Sequence, residues 1–593
     1  MLASALGVII VSVIGFLLML VMTIAMVASL SSMSDKDSTA QVKQDTFLTV
    51  EMSKISGDRT AGALQQSFGE GKTVGLIATV DAIRRAADDD RVKGLLLKDD
   101  GPTVSWASLE ELRSAIALFR ESGKPVVSYA TAYTQPGYYL CSAADAVCLH
   151  PSGMVEFRGM GGQVMYYKDL LDKLGVEMQL IRPESCAYKS AGEVYIRNNM
   201  SDANREQIRA YIASIWRSAT ADIAASRNIA VSELNSIADN LSGFLADDAC
   251  AVHLVDTLCF EEDVRAMLRD EYGGKHLLSV EKYVKSDKKA TKDNRERIAV
   301  IYAEGNVVDG SAKGFSQGVF GDDIVKALHQ AADDPGVKAI VLRVNSPGGQ
   351  ATASESMTSA VIYAKQKKPV VVSMGDLAAS AGYEISCMAD AIVAERMTIT
   401  GSIGVFGTVP NFQRLMRQKL GLNVDTVLTN RNAASLSVMA PLKGEALAMM
   451  TRNVEDFYKV FVGRVAEGRH MTYDAVHEVA RGRVWTGADA LRIGLVDTLG
   501  GLDLALRMAA DKAGVSDYAV KEYPLEKDVW TQLSEMFGEN SDTDLNLFAK
   551  MRMAWMWKAG GKPEVLTRLD EDLRYVGQTE GLHARLPYIV VVE

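Results

Sequence analysis

The chain repeats one pattern of residues in its two halves, and this repeat constrains its fold more than any other feature. The copies lie about 245 residues apart in a chain of 593. Five matches occur in the same order: Val92-Lys-Gly-Leu-Leu-Leu97 with Val337-Lys-Ala-Ile-Val-Leu342, Lys124-Pro-Val-Val127 with Lys368-Pro-Val-Val371, Gly137-Tyr138 with Gly382-Tyr383, Ala144-Asp-Ala146 with Ala389-Asp-Ala391, and Leu254-Val-Asp256 with Leu495-Val-Asp497. We therefore predict a tandem duplication of a unit of roughly 230 residues.

Each copy alternates short apolar runs with amphipathic stretches. In the second copy we predict strands at residues 298–302, 339–344 and 370–374, and helices at residues 322–332 and 354–366. Apolar strands separated by helices are typical of a mostly parallel sheet covered on both faces. The pattern therefore predicts two α/β domains.

Composition changes along the chain predict six regions. These are a transmembrane signal anchor at 1–33, a linker at 34–50, an N-terminal repeat domain at 51–281, a polar linker at 282–297, a C-terminal repeat domain at 298–523, and a tail at 524–593. Within the tail we predict a helix at 545–558 and a strand at 587–592.

The N-terminal region contains a long uncharged apolar segment at residues 2–30. About 20 apolar residues suffice to cross a bilayer as a helix, and the apolar part of a cleavable signal is only about 7–15 residues long. We favour an uncleaved membrane anchor. A removed signal peptide stays open as an alternative, because Ala25-Met-Val-Ala28 resembles a cleavage site. No Lys or Arg precedes the segment, so charge gives no orientation.

Charge and cysteine content exclude several other classes of function. The net charge of −11 counts against a large nucleic-acid surface. The six cysteines include no paired Cys-x-x-Cys, so the sequence carries no zinc signature. We predict no nucleic-acid partner, no metal and no cofactor.

Two segments of the second copy have the residue types that acyl transfer needs. Asn345-Ser-Pro-Gly-Gly349 follows a predicted strand, and its tandem glycines could present backbone N–H groups to a developing oxyanion. Ser380 lies among small residues after the next strand, where an exposed nucleophile could sit. An ordinary turn and a small-residue packing contact are the alternatives.

A nucleophilic serine also needs a base. None of the seven histidines follows Ser380 in a setting that favours a Ser-His-Asp triad. Lys189 lies in the first copy among small residues and a tyrosine, in Ser185-Cys-Ala-Tyr-Lys-Ser-Ala-Gly-Glu193. Burial would disfavour its ammonium form and give it the lowered pKa that a lysine base requires. Taken alone, a solvated surface lysine is the simpler interpretation.

Together, these segments resemble the long, duplicated form of signal peptide peptidase A, a Ser/Lys protease family (peptidase family S49). The matching residues are Arg343-Val-Asn-Ser-Pro-Gly-Gly349, Ala378-Ala-Ser-Ala-Gly-Tyr383, Thr400-Gly-Ser-Ile-Gly-Val405, Tyr188-Lys-Ser-Ala191, Gly482-Arg-Val-Trp-Thr-Gly487 and Gly494-Leu-Val-Asp497. The likeness extends from the apolar N-terminal segment to about residue 510. Four residues depart from the usual family pattern: Ala381 stands in place of Gly, Glu384 in place of Trp, and Gln350-Ala351 in place of Ser-Val.

The resemblance implies a role for each candidate residue. Ser380 would be the nucleophile and Lys189 the general base, and Ser402 would orient the lysine. Backbone N–H groups of Gly348, Gly349 and Ala381 would form the oxyanion hole. The implied fold is two tandem crotonase/Clp-protease-like α/β domains, preceded by an N-terminal transmembrane helix.

The repeat gives an independent test of this interpretation. At the repeat spacing Ser380 corresponds to Gln135, and Lys189 corresponds to Ala434. Each copy therefore has one part of the dyad and lacks the other. We predict a single active site where the two domains meet.

The implied activity is a membrane-anchored serine endopeptidase that degrades cleaved signal peptides and similar apolar peptides. By the same resemblance, the protein would be a single-pass protein of the bacterial inner membrane, anchored in lipid, with periplasmic catalytic domains, and would form a homotetramer. Two alternatives stay open. One is another acyl-transfer enzyme on a related scaffold, acting on acyl-CoA thioesters or through a Ser-His-Asp triad. The other is a non-catalytic membrane scaffold or chaperone with a degenerate protease fold.

Overall fold

The computed structural model describes residues 41–60, 73–286, 295–312, 318–524 and 583–585. The predicted anchor at 1–33, the tail helix at 545–558 and the tail strand at 587–592 lie outside these residues. Within the described ranges, no helix combines the length and the apolar character that a membrane crossing requires.

The first copy forms a six-stranded parallel sheet. Its strands, in spatial order, are Thr257–Leu258, Ala146–Leu149, Val126–Ala130, Val92–Lys98, Thr46–Glu51 and His276–Ser279. The central strands are runs of apolar residues with almost no exposure, as expected for a parallel sheet covered on both faces. Its helices are Leu76–Asp88, Trp106–Glu121, Gln135–Cys141, Lys168–Leu174, Glu193–Ile196, Asp202–Arg227, Val231–Asn240, Ala246–Ala251, Glu261–Asp270 and Val280–Ser286.

The second copy repeats this strand order in an eight-stranded sheet. The strands that correspond to those above are Thr498–Leu499, Ala391–Ala394, Val370–Ala379, Val337–Ser346, Glu296–Glu304 and Tyr518–Tyr523. Two further strands, Ile399–Gly401 and Val484–Thr486, extend the sheet beside Val370–Ala379. Its helices are Gly321–Asp333, Ala351–Lys365, Ala381–Glu384, Gly444–Gly468, Tyr473–Val479, Gly487–Arg492 and Leu502–Ala513. The predicted α/β architecture and its duplication are confirmed.

Short elements complete the described chain and include one strand pair that joins the copies. Glu177–Ile181 of the first copy pairs antiparallel with Gly407–Asn411 of the second. The remaining elements are the 3₁₀ turn Met52–Lys54, the π turn Leu415–Lys419, and the strands Ile55–Ser56, Val74–Gly75, Val307–Val308, Val319–Phe320, Gly348–Gln350 and His583–Arg585.

A buried ionic cluster also ties the two copies together. The guanidinium of Arg343, in the second sheet, is fully buried and bonds to Asp58 at 2.8 Å and to Glu111 at 2.9 Å, both from the first copy. Burying one cation with two carboxylates is stabilising only while all three stay together. The copies are therefore fixed against each other by charge as well as by packing.

Two predicted boundaries are wrong. The strand Thr46–Glu51 lies inside the first sheet, so residues 46–50 are not part of a linker. The predicted linker at 282–297 overlaps the helix Val280–Ser286 and the strand Glu296–Glu304. The charged composition of 282–297 concealed the apolar contacts at its start, where Tyr283 packs in the core of the first copy.

Candidate active site

Ser380 lies at a sharp turn between a central strand and a short helix. The strand Val370–Ala379 ends directly before it, and the helix Ala381–Glu384 begins directly after it. Its backbone has φ 58° and ψ −120°, which is costly for a residue with a side chain and persists only where the surrounding structure enforces it. The N–H of Ser380 donates to the carbonyl of Gly401 at 2.8 Å, and this contact holds the turn in place.

Lys189 reaches this turn from the first copy. It lies in the loop between the strand Glu177–Ile181 and the helix Glu193–Ile196, and its side chain is fully buried. The antiparallel pairing of Glu177–Ile181 with the second copy carries the loop across the domain boundary.

The Nζ atom of Lys189 has three oxygen neighbours. It lies 2.6 Å from Ser380 Oγ, 2.8 Å from the carbonyl oxygen of Ser402 and 3.1 Å from Ser402 Oγ. A neutral amine has two N–H donors and one lone pair. With both N–H groups donated to Ser402, the lone pair is left to accept the proton of Ser380.

The surroundings of Lys189 favour the neutral amine. Burial lowers the pKa of Lys189 from its ordinary value of 10.5 to about 7, and interactions with Cys186 and Glu384 oppose this change. A lysine with a pKa near neutrality is deprotonated often enough to act as a base at physiological pH.

Gly482 allows the backbone of Lys189 to approach the second copy. Its φ is +79°, and a Cβ atom added there would lie 2.5 Å from Cβ and 2.6 Å from the backbone nitrogen of Lys189. A Cβ on Gly404 would lie 3.0 Å from Gly482 Cα and 3.4 Å from Lys189 Cδ, so this second glycine belongs to the same contact. Any side chain at 482 would therefore displace the lysine.

The paired glycines lie beside Ser380. The strand that ends at Ser346 runs parallel to that of Ser380, with Ser346 opposite Ala378. A Cβ added at Gly382, in the helix after Ser380, would lie 2.7 Å from the carbonyl oxygen of Ser346, so the loop and the helix touch. Ser346-Pro-Gly-Gly349 therefore borders the space in front of Ser380.

Comparison with known proteins identifies the family. The model of peptidase family S49 matches residues 118–274 and 363–516, one segment in each copy. This chain belongs to peptidase family S49. It is 37% identical over 491 residues to "Protease 4" of Salmonella typhi, covering 80% of this chain and 78% of that protein. It is 32% identical over 537 residues to "Protease 4" of Haemophilus influenzae, covering 86% of each chain.

Family membership confirms the prediction of a serine protease. A solved structure of ClpP1 from Listeria monocytogenes also matches, with 14% identity, coverage of 35% of this chain and 94% of that one, and a TM-score of 0.23. A likeness this distant adds nothing to the assignment of the S49 peptidase.

The three candidate oxyanion donors of the S49 peptidase differ in their surroundings. Gly348, with φ +103°, donates its N–H to Ser346 Oγ at 3.2 Å. Gly349 lies against Val307, whose carbonyl oxygen would be 2.0 Å from an added Cβ. Ala381 is the first residue of the helix after Ser380, where N–H groups have no partner within the helix.

A segment from the C-terminal tail pairs with the edge of the strand Gly348–Gln350. The strand His583–Arg585 pairs antiparallel with Gly348–Gln350, with Ala584 opposite Gly349. This edge of the S49 peptidase therefore accepts an extended backbone. The sequence predicts a tail strand only at 587–592, and its pattern gives no sign of this contact.

Other residues of the S49 peptidase that bear on the dyad were also missed. Gly482 entered only as part of a matching segment, since a glycine flanked by two arginines carries no turn signal of its own. From the sequence, Glu384 is distinguished only by its departure from the family pattern. In the structure it is a buried carboxyl on the helix of the nucleophile.

The first copy fills the position of the nucleophile with a structural residue. Gln135 begins the helix Gln135–Cys141, the counterpart of the helix after Ser380. Its side-chain amide donates to the carbonyl of Gly159 at 3.0 Å.

Among the histidines that follow Ser380, His477 bonds to the hydroxyl of Tyr458 at 2.9 Å and lies on the helix Tyr473–Val479.

Proposed function

We propose that this S49 protease hydrolyses peptide bonds with Ser380 as the nucleophile and Lys189 as the general base. The observation that carries the proposal is the distance of 2.6 Å between Lys189 Nζ and Ser380 Oγ in a fully buried environment. The complementary losses in the two copies support it, because each copy alone lacks one of these groups.

The proposed reaction is acyl transfer through a serine ester. The neutral amine of Lys189 takes the hydroxyl proton as Ser380 Oγ attacks the carbonyl carbon. Backbone N–H groups of Gly349 and Ala381, joined by that of Gly348 once it leaves Ser346 Oγ, stabilise the negative charge on the carbonyl oxygen. The ammonium then gives its proton to the leaving amine, and the C–N bond breaks. In the second half, the amine takes a proton from water as the water oxygen attacks the ester. The C–O bond to Ser380 then breaks, the ammonium returns its proton to Ser380 Oγ, and the acid product leaves.

Ser402 orients the base in this scheme. Its carbonyl and its hydroxyl both accept from Lys189 Nζ, at 2.8 Å and 3.1 Å. Its backbone is held at φ +52°, and its own N–H donates to the carbonyl of Arg483 at 2.7 Å. These fixed acceptors direct the lone pair of the amine towards Ser380.

We infer that the substrates are extended, apolar peptides, such as signal peptides left in the membrane after cleavage. The pairing of a tail strand with Gly348–Gln350 supports an extended binding mode, since main-chain hydrogen bonds along a strand edge bind peptides independently of sequence. The uncharged segment at residues 2–30 supports a membrane anchor beside such substrates.

The proposed setting is the bacterial inner membrane, with the catalytic domains on the periplasmic side and four chains in one assembly. Membrane extraction of the full chain tests the anchor, with a variant that lacks residues 1–33 as the comparison. Light scattering of the detergent-solubilised protein tests the tetramer.

The decisive experiment compares peptide cleavage by the wild-type protein, Ser380→Ala and Lys189→Ala. We expect both variants to lose at least about 10³-fold in kcat while they keep the wild-type circular dichroism spectrum. Ser128→Ala is the matched control. This buried serine lies in a strand of the first copy, 3.1 Å from the hydroxyl of Tyr133, and its loss should leave kcat unchanged. Near-normal cleavage by Lys189→Ala would exclude the dyad.

A further inference from the structure

Glu384 is a buried carboxyl one helical turn after Ser380. Its backbone N–H donates to the carbonyl of Ser380 at 2.9 Å, so the residue belongs to the turn that holds the nucleophile. Its side chain is 4% exposed. A carboxyl is rarely buried without partners, because removing its charge from water is costly.

Two elements outside the nucleophile's helix provide those partners. The hydroxyl of Ser354, on the helix Ala351–Lys365, donates to one carboxyl oxygen of Glu384 at 2.6 Å. Nη1 of Arg464, on the helix Gly444–Gly468, lies 3.5 Å from the other oxygen. Arg464 also pairs with Glu355 at 3.2 Å.

The position of Ser354 connects this carboxyl to the strand Gly348–Gln350, which contains two of the candidate oxyanion donors. The helix Ala351–Lys365 begins immediately after Gly348–Gln350. The bond between Ser354 and Glu384 therefore joins the start of that helix to the helix of Ser380. A further bond, from Thr358 Oγ1 to the carbonyl of Glu384 at 3.2 Å, reinforces the same contact.

Glu384 contacts Ser380 through its backbone N–H, and Lys189 contacts the same residue through Nζ, so the charge of each buried group acts on the other. Its negative charge raises the pKa of Lys189, and the lysine in turn lowers the pKa of Glu384. Burial, the larger effect, raises the pKa of Glu384 to about 7. The other titratable neighbour of Lys189 is Cys186, whose thiol stays neutral because burial raises its pKa to about 11.

We propose that Glu384 is a positioning residue of the dyad, which ties the nucleophile's helix to the helix after the paired glycines and sets the electrostatic surroundings of Lys189. This inference rests on the proposed function. The groups that face Glu384 are Lys189, Arg464, Glu355, Ser354 and the buried thiol of Cys387. Of these, Arg464 opposes protonation of Glu384 and Glu355 favours it.

The consequence is a specific change in the pH dependence of catalysis. When Glu384 is ionised, it stabilises the ammonium of Lys189 and delays loss of the proton as pH rises. Glu384→Gln removes that charge but keeps the size of the side chain and an acceptor for Ser354. The acidic limb of kcat/KM should then move to lower pH by at least about half a unit, with little change in the alkaline plateau.

The experiment measures kcat/KM of the full chain on one apolar fluorogenic peptide from pH 5 to 10. Glu355→Gln is the matched comparison, since it removes the other carboxylate that contacts Arg464. Glu384 is then more readily ionised, and the midpoint should move slightly to higher pH, opposite to the change in Glu384→Gln. A lower plateau for Glu384→Gln with an unmoved midpoint would mean a purely structural role and would overturn the proposal.

A second variant decides the question if Glu384→Gln does not fold. Ser354→Ala removes the donor that stabilises the ionised carboxylate, so the midpoint should move in the same direction by a smaller amount. An unmoved midpoint in this variant contradicts the inference. A wild-type profile without an acidic limb would instead contradict the lysine base itself, so the two failures can be distinguished.

Discussion

Lys189 Nζ lies 2.6 Å from Ser380 Oγ, although 191 residues separate the two in the chain. The lysine comes from the first copy of the repeat and the serine from the second. The site therefore exists only while the two copies are packed together, and any change that separates them should abolish activity before it unfolds either sheet.

The pH dependence of the wild-type enzyme tests the base. Only the neutral amine can accept the serine proton, and burial lowers the pKa of Lys189 to about 7. We expect kcat/KM to rise with pH through this region with a slope of about one on logarithmic axes, and then to reach a plateau. Steady-state assays in constant-ionic-strength buffers measure this. A rate that is flat from pH 5 to 10 would contradict a lysine base.

Replacing the lysine should stabilise the fold while it removes activity. In the unfolded chain Lys189 has its ordinary pKa of 10.5, and in the folded protein the pKa is about 7. The unfolded state thus binds the proton more tightly, and this cost to stability is largest below about pH 7 and disappears as pH rises past the unfolded value. Lys189→Met should raise the free energy of unfolding by about 1–3 kcal/mol at pH 6, and by less at pH 10.

Urea unfolding at both pH values measures this gain. Lys124→Met is the control. The amine of Lys124 donates to the carbonyls of Ala86 and Asp89, so this replacement should lower the free energy of unfolding. Equal stability of Lys189→Met and the wild type at pH 6 would contradict a buried amine whose pKa is lowered by folding.

Much of this site could be predicted from sequence because the duplication divides the dyad between the copies. At the repeat spacing, Gln135 is equivalent to Ser380 and Ala434 is equivalent to Lys189, so one complete site requires both domains. The α/β character followed from apolar runs between amphipathic stretches. These inferences depend on residue type and spacing, which the sequence records directly.

The rest depends on contacts between segments far apart in the chain. The pairing of Glu177–Ile181 with Gly407–Asn411 delivers the lysine, yet neither strand has a pattern that specifies its partner. The polar segment at 282–297 was predicted as a linker although it overlaps a helix and a strand, because its composition outweighed the few apolar residues that pack. Burial of Glu384 was likewise hidden, since its partners come from two other helices.

The ionic tie between the copies gives a prediction about stability. Arg343→Met would leave Asp58 and Glu111 buried without their cation, which typically costs about 3–5 kcal/mol. We expect a corresponding fall in the urea midpoint and loss of peptidase activity. Arg343→Met combined with Glu111→Gln should recover part of the stability, since one uncompensated charge is removed.

Arg507→Met is the control for this change. Its side chain is 59% exposed and pairs with Asp503 at the surface, so its loss should cost less than about 0.5 kcal/mol. If Arg343→Met were as stable as this control, the buried cluster would contribute nothing to holding the copies together.

The pairing of the tail strand predicts that the tail competes with substrate for the edge of the strand Gly348–Gln350. His583–Arg585 pairs with Gly348–Gln350, where we propose that extended substrates bind. A variant that lacks residues 583–593 should therefore bind peptides more tightly, with a KM lower by about three-fold or more and an unchanged kcat. A synthetic peptide of residues 580–593 added in trans should inhibit this variant competitively. An unchanged KM together with no inhibition would mean that substrates use a different edge.

Gly482→Ala tests the close approach of the two copies at the base. An added Cβ would lie 2.5 Å from Lys189 Cβ, and the φ of +79° adds backbone strain. Because the loop of Lys189 must move, we expect kcat to fall by about 10- to 100-fold and KM to change little. Gly123→Ala is a matched control, with φ +78° and open space around the added Cβ. Both variants should lose about 1 kcal/mol of stability from strain, but only Gly482→Ala should lose activity. Equal activity of the two variants would show that the lysine does not depend on this contact.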